Sequence, residues 1–418
     1  MKVEIITIGD EILSGHTLNT NAAFIGKALS DLQLDVNRVC VVGDNKEDIL
    51  NEFKVAFENA NIVLVSGGLG PTHDDITKKC IVDFFETELV INEEVLNDIK
   101  GFFKKRNRKI TQVNEDQALV PVGAKVIRNS QGTAPGIWIE KDKKVFVSMP
   151  GVPHEMRTMM EDSVIPMLQD MLPEKKVIRK VFSLLTNGIG ESTLFEKLGN
   201  LDELLDGSKM AFLPNQFGVK MRMTIHGKDD EEITNKKSEI EQKIRTLVGR
   251  YIYGKDEELL EEVVAKLLIE RGLTVSVAES CTGGLISARL TNVSGSSAFY
   301  ERGLITYSNG AKYELLHVSE DIIANKGAVS LDVAQQMANS VRSISGTDIG
   351  LSATGIMGPT GATQDKPIGT VYIGLADDKV CTAKEFHFGD DRLLNKDRTS
   401  QAALEMLRRY LLGIPYDE

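Results

Sequence analysis

The alternation of short β-branched runs with amphipathic helical patterns through the first 165 residues is the feature that most constrains the fold. Such runs at 3–8, 36–42 and 61–66 are separated by segments whose apolar residues recur at helical spacing. This alternation is typical of parallel strands joined by crossover helices. We therefore predict a parallel sheet covered by helices, with later strands at 124–128, 135–139 and 144–148.

The pattern changes twice further along the chain. A chain of 418 residues is longer than one hydrophobic core usually supports, so three domains are expected. A middle segment with two strand patterns and a charged helix at 229–248 predicts a small α+β domain. The last segment opens on a helix closed by Gly272 and continues as an α/β domain, with strands at 273–278, 348–353 and 369–376. The predicted domains are 1–170, 171–252 and 253–418.

The charge balance and the apolar pattern argue against several classes of protein. With 49 Lys and Arg against 61 Asp and Glu, the net charge is -12, which disfavours nucleic acid and anionic membrane as partners. No apolar run reaches the roughly 18 residues of a membrane span. The first strand pattern begins directly after Lys2, which leaves no room for a signal peptide. We expect a cytoplasmic protein whose scattered cysteines form neither a zinc site nor a disulfide framework.

A strand pattern, a turn and a helix pattern follow one another in TVSVAESCTGGLISARL, with Ser280 and Cys281 at the turn. A side chain at the carboxyl end of a strand projects from the sheet edge, and free N–H groups of the following helix stabilise an oxyanion. Gly283 and Gly284 let a ligand approach the backbone closely. Ser280 is the candidate nucleophile, and Cys281 is its intrinsically more reactive rival. On spacing alone, a turn without chemistry explains the segment equally well.

Lys312 is the candidate base, and it lies in the segment ERGLITYSNGAKYELL. No suitable histidine accompanies the serine. A lysine accepts a proton if desolvation or a neighbouring positive charge lowers its pKa from about 10.4 toward about 7. The alternative interpretation is an ordinary solvated lysine, as most lysines are.

Two later segments have the character of a substrate or phosphate pocket. The stretch SATGIMGPTGATQDKPIGTVYIG places glycines and threonines after a buried strand, and FHFGDDRLLNKDR supplies Arg392 and Arg398. Backbone amides and arginines bind phosphate. The alternatives are a loop of plain turns and the solvated face of a helix.

Together these segments resemble the C-terminal domain of the CinA family, the nicotinamide mononucleotide deamidases. The blocks AESCTGG, ERG...TYSN..K, GAVS, ATGI.GP and a closing G..R occur in the family's order across about 160 residues. The resemblance implies a Ser280/Lys312 dyad that needs no cofactor. Because GDDR carries one acidic residue more than the expected GDR, the choice between the two arginines stays open. The implied substrate pocket comprises Cys281, Thr282, Gly283, Gly284, Tyr307, Thr354, Gly355 and Arg392 or Arg398.

The dyad suggests hydrolysis of the carboxamide in two steps. In this hypothesis, neutral Lys312 takes the Ser280 proton, the alkoxide attacks the carboxamide carbon, and amides after Ser280 hold the oxyanion. Ammonia leaves first. Water then hydrolyses the acyl-enzyme to nicotinic acid mononucleotide, with Lys312 again as base.

The segment VLVSGGLGPTHDDITKK has phosphate-site character in the first domain. Its glycine-rich turn follows a strand and precedes Asp74, Asp75 and Lys78. Glycines expose backbone N–H groups to an anion, and adjacent carboxylates hold a divalent ion that bridges phosphate oxygens. The segment lacks both the P-loop ending and the dinucleotide fingerprint. Asp74 is equally well explained as a helix cap.

The segments TIGDEILSG, GGLGPTHDD and MPGVPHEM resemble the molybdopterin-binding fold as it occurs in CinA proteins. The resemblance implies a metal-dependent ADP-ribose pyrophosphatase, with Mg, Mn or Co held by Asp74 and Asp75. The alternatives are a non-catalytic pterin- or nucleotide-binding module, or a chain that is chiefly a pyrophosphatase. The implied pocket comprises Asp10, Glu11, Gly67, Gly68, Gly70, Asp74, Asp75 and Lys78.

The middle segment, with NGIGES and KMRMTIHG, resembles the KH-like domain of full-length family members. The acidic balance argues against nucleic-acid binding by this domain. Nicotinamide mononucleotide and ADP-ribose are the expected small-molecule partners, which suggests a role in pyridine nucleotide salvage. A homo-oligomer is expected, with a dimer favoured.

Overall fold

The structure is a computed structural model that describes residues 1–72, 75–172 and 178–416. The chain forms two compact units, Met1–Lys180 and Val181–Glu418. Among the residues that the structure describes, no helix combines the length and the apolar character needed to cross a bilayer.

A six-stranded sheet in the order β2-β1-β3-β8-β7-β6 organises the first unit. Strands β2, β1, β3 and β8 are parallel, as predicted, whereas β7 and β6 run antiparallel to their neighbours. Only two residues separate β7 from β8, which is too few for a crossover and enough for a hairpin. The strands of this unit are β1 Val3–Ile8, β2 Val36–Val42, β3 Ile62–Ser66, β4 Leu89–Ile91, β5 Leu119–Pro121, β6 Lys125–Ile127, β7 Gly136–Lys141 and β8 Lys144–Met149.

Helices cover both faces of this sheet. Because side chains alternate along a strand, Ile5 of β1 packs into one core and Ile6 into the other. The Ile5 core receives α2, α7 and α8, and the Ile6 core receives α3 and α4. The helices are α1 Asp10–Leu13, α2 Thr20–Asp31, α3 Lys46–Asn59, α4 Thr77–Phe85, α5 Glu93–Lys105, α6 Gln112–Glu115, α7 Pro153–Met159 and α8 Ile165–Met171.

The second unit begins with a four-stranded sheet in the order β10-β11-β9-β12. Its long helix begins after Asp229, whose carboxylate accepts a hydrogen bond from the backbone N–H of Glu232 at 2.8 Å. This α+β arrangement matches the prediction for the middle segment. The elements are β9 Ile178–Thr186, α9 Glu191–Leu198, α10 Leu201–Leu205, β10 Lys209–Pro214, β11 Val219–Gly227, α11 Asp230–Val248 and β12 Ile252–Lys255.

A five-stranded sheet in the order β14-β13-β15-β16-β17 forms the rest of the second unit. Strands β14, β13 and β15 are parallel, and β16 and β17 are antiparallel to their neighbours. Helices α12, α13 and α17 pack on one face of the sheet, and α14 and α16 pack on the other. The elements are α12 Leu260–Arg271, β13 Val275–Glu279, α13 Leu285–Asn292, β14 Tyr300–Ile305, α14 Asn309–Leu316, α15 Glu320–Lys326, α16 Leu331–Ser345, β15 Ile349–Gly355, β16 Thr370–Ala376, β17 Cys381–His387 and α17 Arg392–Leu412.

The three parallel strands of this sheet end together. Glu279, the last residue of β13, pairs with Ile305 of β14 and with Ala353 of β15. The residues that follow these strands therefore lie at one edge of the sheet, where α/β proteins commonly bind ligands.

Candidate functional site

Ser280 lies in a tight turn between β13 and α13. Its backbone N–H donates to the Ala353 carbonyl at 3.0 Å, and its carbonyl accepts from the N–H of Gly283 at 3.2 Å. Gly283 and Gly284 both have positive φ angles, 62° and 99°, which only glycine adopts without strain. The turn thus holds the Ser280 side chain at the edge where the parallel strands end.

Lys312 is buried, with 1% of its surface exposed, on the first turns of α14. Its Nζ lies 2.9 Å from Ser280 Oγ, 2.8 Å from the Thr306 carbonyl oxygen and 3.3 Å from the Tyr307 carbonyl oxygen. Burial lowers the pKa of Lys312 to about 8. A neutral amine donates its two N–H groups to the two carbonyls and keeps its lone pair for the serine proton. The structure therefore brings the two predicted dyad residues together.

Cys281 and Thr282 follow Ser280 and are both buried. Burial raises the pKa of the Cys281 thiol to about 12, which disfavours the thiolate that a nucleophile needs. The Thr282 hydroxyl is enclosed and has no hydrogen-bond partner among the described residues. The surroundings of the rival nucleophile therefore oppose its activation.

The side chain of Glu279, the last residue of β13, lies at the N-terminal end of α13. Its buried carboxylate accepts from the backbone N–H groups of Gly284 at 2.9 Å, Ile286 at 3.2 Å and Ser287 at 2.9 Å, and from the Ser287 hydroxyl at 2.6 Å. The prediction that helix N–H groups are free to hold an oxyanion is wrong for these groups, because they already bind an anion of the protein itself. The first two amides after Ser280, those of Cys281 and Thr282, donate no hydrogen bond within the described residues.

Arg392 connects two segments of the predicted substrate pocket. Its Nη1 donates to the Gly358 carbonyl at 2.7 Å, and its Nη2 donates to the Tyr307 hydroxyl at 3.2 Å. Arg398 lies six residues further along α17 and donates no hydrogen bond within the described residues. Its Nη1 lies 3.9 Å from where a Cβ on Gly389 would stand. The structure therefore brings Arg392, rather than Arg398, to Tyr307.

Thr354 and Gly355 end strand β15 instead of lying in a loop. The buried Thr354 hydroxyl donates to the Ala328 carbonyl at 2.8 Å, so it can meet a substrate only as an acceptor. A Cβ on Gly355 would stand 2.7 Å from a Val371 methyl group, which shows that close strand packing requires this glycine. Thr354 and Gly355 thus lie at the edge of the sheet where the parallel strands end, and each makes a contact that stabilises the fold there.

Two residues of this region were not predicted from the sequence. Glu279 precedes Ser280 directly, but its acceptor role depends on how the turn folds. Asn395 is buried on α17 and donates to the carbonyls of Met357 at 3.1 Å and Gly389 at 2.8 Å. It thereby fixes the start of α17 against two loops. An asparagine among apolar residues on a helix is the only sequence signal for this role.

The glycines of the N-terminal candidate site lie where strands β1, β3 and β8 end. A Cβ on Gly67 would stand 2.1 Å from the Ile8 carbonyl oxygen, and a Cβ on Gly68 would stand 2.1 Å from Thr77 Oγ1. The N–H of Gly67 donates to the Met149 carbonyl at 3.0 Å. The close approach of the Ile8 carbonyl therefore explains Gly67, and the close approach of the Thr77 hydroxyl explains Gly68.

Asp10 and Glu11 are exposed on the short helix that follows β1. The Asp10 carboxylate accepts from the N–H of Asp44 at 3.2 Å, and the Asp10 N–H donates to the Asp44 carboxylate at 3.1 Å. The Glu11 carboxylate lies 2.7 Å from where a Cβ on Gly9 would stand. Both carboxylates thus lie near the end of β1.

The residues after the glycine turn have local partners. The Asp75 carboxylate accepts from the N–H of Thr72 at 2.8 Å and from its hydroxyl at 2.5 Å, and it would meet a Cβ on Gly70 at 2.5 Å. Lys78 Nζ donates to the Gln117 carbonyl at 3.1 Å, and burial lowers the pKa of Lys78 to about 8. Asp74 lies outside the described residues.

Of the two predicted metal ligands, Asp74 and Asp75, the structure describes only Asp75. Within residues 1–72, 75–172 and 178–416, no group of three or more His, Cys, Asp or Glu side chains is arranged to hold a metal ion. Asp75 is engaged by Thr72. Because Asp74, the other predicted ligand, lies outside the described residues, no reaction step is assigned to a metal ion.

Three family models match the chain. The model of the probable molybdopterin binding domain matches residues 4–170, that of the damage-inducible protein CinA KH domain matches residues 183–254, and that of the CinA C-terminal domain matches residues 257–411. The three-domain layout expected from the sequence patterns is therefore confirmed.

Proteins similar to this chain match over its whole length. It is 43% identical over 413 residues to a putative competence-damage inducible protein of Caldicellulosiruptor saccharolyticus, which covers 99% of this chain and 100% of the relative. It is 43% identical over 420 residues to a CinA-like protein of Chloroherpeton thalassium, which covers 98% and 99%. The crystal structure of the protein CinA, with unknown function, from Thermoplasma acidophilum is 37% identical, covers 41% of this chain and 98% of that chain, and has a TM-score of 0.37. Because the sequence identity extends over nearly the whole of each relative, this chain belongs to the CinA family of competence-damage inducible proteins.

Proposed function

We propose that the C-terminal domain is an amidohydrolase that converts nicotinamide mononucleotide to nicotinic acid mononucleotide and ammonia, with Ser280 as nucleophile and Lys312 as base. One observation carries the proposal. The Lys312 Nζ lies 2.9 Å from Ser280 Oγ, and both side chains are buried, at 1% and 8% exposure. A nucleophile and a base within hydrogen-bond distance, in a site that limits water, are the signature of covalent catalysis.

The surroundings of the lysine support its role as a base. An amine is a base only when uncharged, and burial lowers the pKa of Lys312 to about 8. Within the described residues, no carboxylate forms an ion pair with Lys312; its oxygen partners are the Ser280 hydroxyl and two backbone carbonyls. A nearby carboxylate would stabilise the ammonium, so its absence keeps proton transfer close to neutral pH.

The first step forms an ester. Lys312 takes the Ser280 proton as the serine oxygen bonds to the carboxamide carbon, and the carbonyl oxygen becomes an oxyanion. We assign the oxyanion to the N–H groups of Cys281 and Thr282, since Glu279 already occupies those of Gly284 and Ile286. The Lys312 ammonium then gives its proton to the amide nitrogen, the C–N bond breaks and ammonia leaves.

The second step hydrolyses the ester and regenerates the free enzyme. Lys312, neutral again, takes a proton from a water molecule as the water oxygen bonds to the ester carbon. The ester bond breaks, the ammonium protonates Ser280 Oγ, and the product leaves as a carboxylic acid that loses its proton to the solvent. Apart from this last proton, every proton transferred in the two steps passes through one amine, which suits a site with a single base.

The identity of the substrate depends on the motif resemblance and on the residues beside the dyad. Tyr307 is exposed, and its hydroxyl accepts from Arg392 at 3.2 Å, so an aromatic face and a cation lie at the entrance of the site. A pyridine nucleotide offers an aromatic ring and a phosphate to these groups. The arrangement therefore suits this substrate class.

The test is ammonia release from nicotinamide mononucleotide by the full chain and by two variants of adjacent residues. Ser280→Ala removes the nucleophile and is expected to lose ammonia release by at least about 1,000-fold. Cys281→Ala is the matched control and is expected to keep activity, because its thiol is not ionised near neutral pH. Full activity in Ser280→Ala, or loss only in Cys281→Ala, would overturn the assignment.

For the N-terminal domain, we propose a separate metal-dependent ADP-ribose pyrophosphatase activity. The support is that exposed Asp10 and Glu11 follow β1 while Gly67 and Gly68 follow β3, its parallel neighbour, at the edge where these strands end. The experiment incubates the Ser280→Ala chain and ADP-ribose with Mg, Mn or Co ions, with and without chelator. Chelator-sensitive AMP release supports the activity, and no AMP with any of the ions rules it out.

A further inference from the structure

A second cation lies beside the candidate site on α17. Lys396 follows Arg392 by four residues, so both side chains are on the same side of this helix. Its Nζ lies 3.6 Å from where a Cβ on Gly283 would stand, in the turn that carries Ser280. Arg392 and Lys396 therefore extend from one helix to two different segments of the same edge, the Tyr307 segment and the Ser280 turn.

The charge of Lys396 has no counter-ion in the described part of the chain. Its side chain is half-buried, and its ammonium donates no hydrogen bond there and forms no ion pair. The nearby Asp391 carboxylate is used at the start of α17, where it accepts from the N–H of Leu394 at 2.8 Å. A cation without a counter-ion attracts an external anion.

Arg392 also keeps donors for a ligand. Its guanidinium has five N–H groups, and the bonds to Gly358 and Tyr307 use two of them. Those two bonds fix the plane of the guanidinium. A fixed guanidinium and a lysine point charge form a standard combination for phosphate.

The turn next to Lys396 leaves room for such a ligand. Gly283 has a φ of 62° and no side chain, and a Cβ at this position would fill space 3.6 Å from the Lys396 Nζ. The glycine therefore keeps the approach to the ammonium open and also permits the turn that presents Ser280.

We propose that Lys396, with Arg392, forms an anion subsite that binds the phosphate of the mononucleotide substrate and sets the preference for nucleotides over nucleosides. The inference rests on the proposed function and adds a specificity-determining residue to it. Lys396 contributes to substrate binding, whereas Ser280 and Lys312 catalyse the cleavage of the amide C–N bond.

The test compares nicotinamide mononucleotide with its unphosphorylated riboside. Lys396→Met keeps the aliphatic part of the side chain and removes the charge. The expected result is a rise in KM for the mononucleotide of about 10- to 100-fold with kcat nearly unchanged, and no change for the riboside. Unchanged KM for the mononucleotide, or an equal rise for both substrates, would overturn the subsite.

Lys379→Met is the matched control. Lys379 is exposed in the turn after β16, three residues after Ala376. Ala376 pairs with Gly350 at the start of β15 and so lies at the opposite edge of the sheet. This variant is expected to match the wild type.

Calorimetric binding separates the failure of the inference from the failure of the proposed function. A wild-type chain that releases no ammonia from either compound refutes the proposed function. The subsite is still supported in that case if Lys396→Met weakens mononucleotide binding by about 10-fold or more, and it is refuted if binding is unchanged.

Discussion

At the residue scale, the same dry surroundings act in opposite directions on two neighbouring side chains. Burial disfavours charge, so it lowers the pKa of the Lys312 amine to about 8 and raises that of the Cys281 thiol to about 12. The amine becomes a usable base near neutral pH, while the thiol stays protonated. Burial therefore favours the serine over the cysteine as the proposed nucleophile, although the cysteine is the more reactive side chain in water.

The pH dependence of kcat/KM for ammonia release tests this account of Lys312. The reaction needs the neutral amine, and the pKa of Lys312 is about 8, so kcat/KM is expected to rise with pH below about 8 and to level off above it. The slope below the midpoint should approach about tenfold per pH unit. A profile that is flat from about pH 6 to about pH 10, or that falls across it, would show that another group limits the rate.

Glu279 acts by positioning rather than by contact with the reacting atoms. Glu279→Gln keeps the size of the side chain but presents an NH₂ group to donors, so at least one of the four hydrogen bonds is lost. We expect kcat to fall by about 10-fold or more with little change in KM, measured with the mononucleotide. Ser287→Ala removes only the hydroxyl bond and should have a smaller effect. The positioning role would be contradicted if Glu279→Gln and Ser287→Ala changed kcat and KM to the same extent as each other.

The sequence alone could identify Ser280 and Lys312, because their motifs resemble those of a known family. It could not show that Glu279 binds the N–H groups of α13, since this depends on the backbone angles at Gly283 and Gly284. Nor could it choose between Arg392 and Arg398. That choice required the position of the first turn of α17 relative to Tyr307.

At the element scale, most strands that the sequence predicts contain buried residues, and β2, whose residues are all exposed or half-buried, is an exception. All six residues of β1 are buried and four of them are β-branched apolar residues, so the strand is easy to recognise. Strands β14 and β17 are edge strands with mostly exposed or half-buried residues, so neither has a continuous apolar run. The stretch that forms β12 contains Gly254 and is only four residues long, which is too short for a recognisable strand pattern. Its pairing with β9 comes from tertiary context.

Helix α17 joins the four-stranded sheet to the five-stranded sheet through buried charges. Arg408 donates to the Glu405 carboxylate at 2.7 and 2.8 Å and to the Arg250 carbonyl at 2.9 Å, just before β12. Arg409 donates to the same carboxylate at 2.7 Å. One buried carboxylate thus compensates two buried guanidinium groups, and the helix is attached to both sheets.

Glu405→Ala is therefore expected to lower the free energy of unfolding by about 3 to 5 kcal/mol, because it leaves two buried cations without a counter-ion. Urea denaturation of the full chain measures the change. Glu270→Ala is the control: it removes an exposed carboxylate 3.9 Å from Lys266, and such a pair contributes at most about 1 kcal/mol. Equal effects of the two substitutions would contradict the role assigned to Glu405.

At the scale of the whole molecule, each compact unit has its own candidate site where its parallel strands end. The proposed deamidation needs only residues of the second unit, and the proposed pyrophosphatase needs only residues of the first. The two proposals can therefore be tested independently in one full-length chain. The three-domain layout was predictable because each segment has its own periodicity, whereas the local partners of Asp75 and Lys78 were not.

The central claim is that Lys312 is the base for Ser280, and the most direct measurement is kcat for ammonia release from nicotinamide mononucleotide by Lys312→Met. A missing general base typically reduces the rate by about 100- to 10,000-fold. We predict a loss in this range in a folded protein that still binds the substrate, with Lys379→Met unchanged. Wild-type kcat in Lys312→Met would contradict the account.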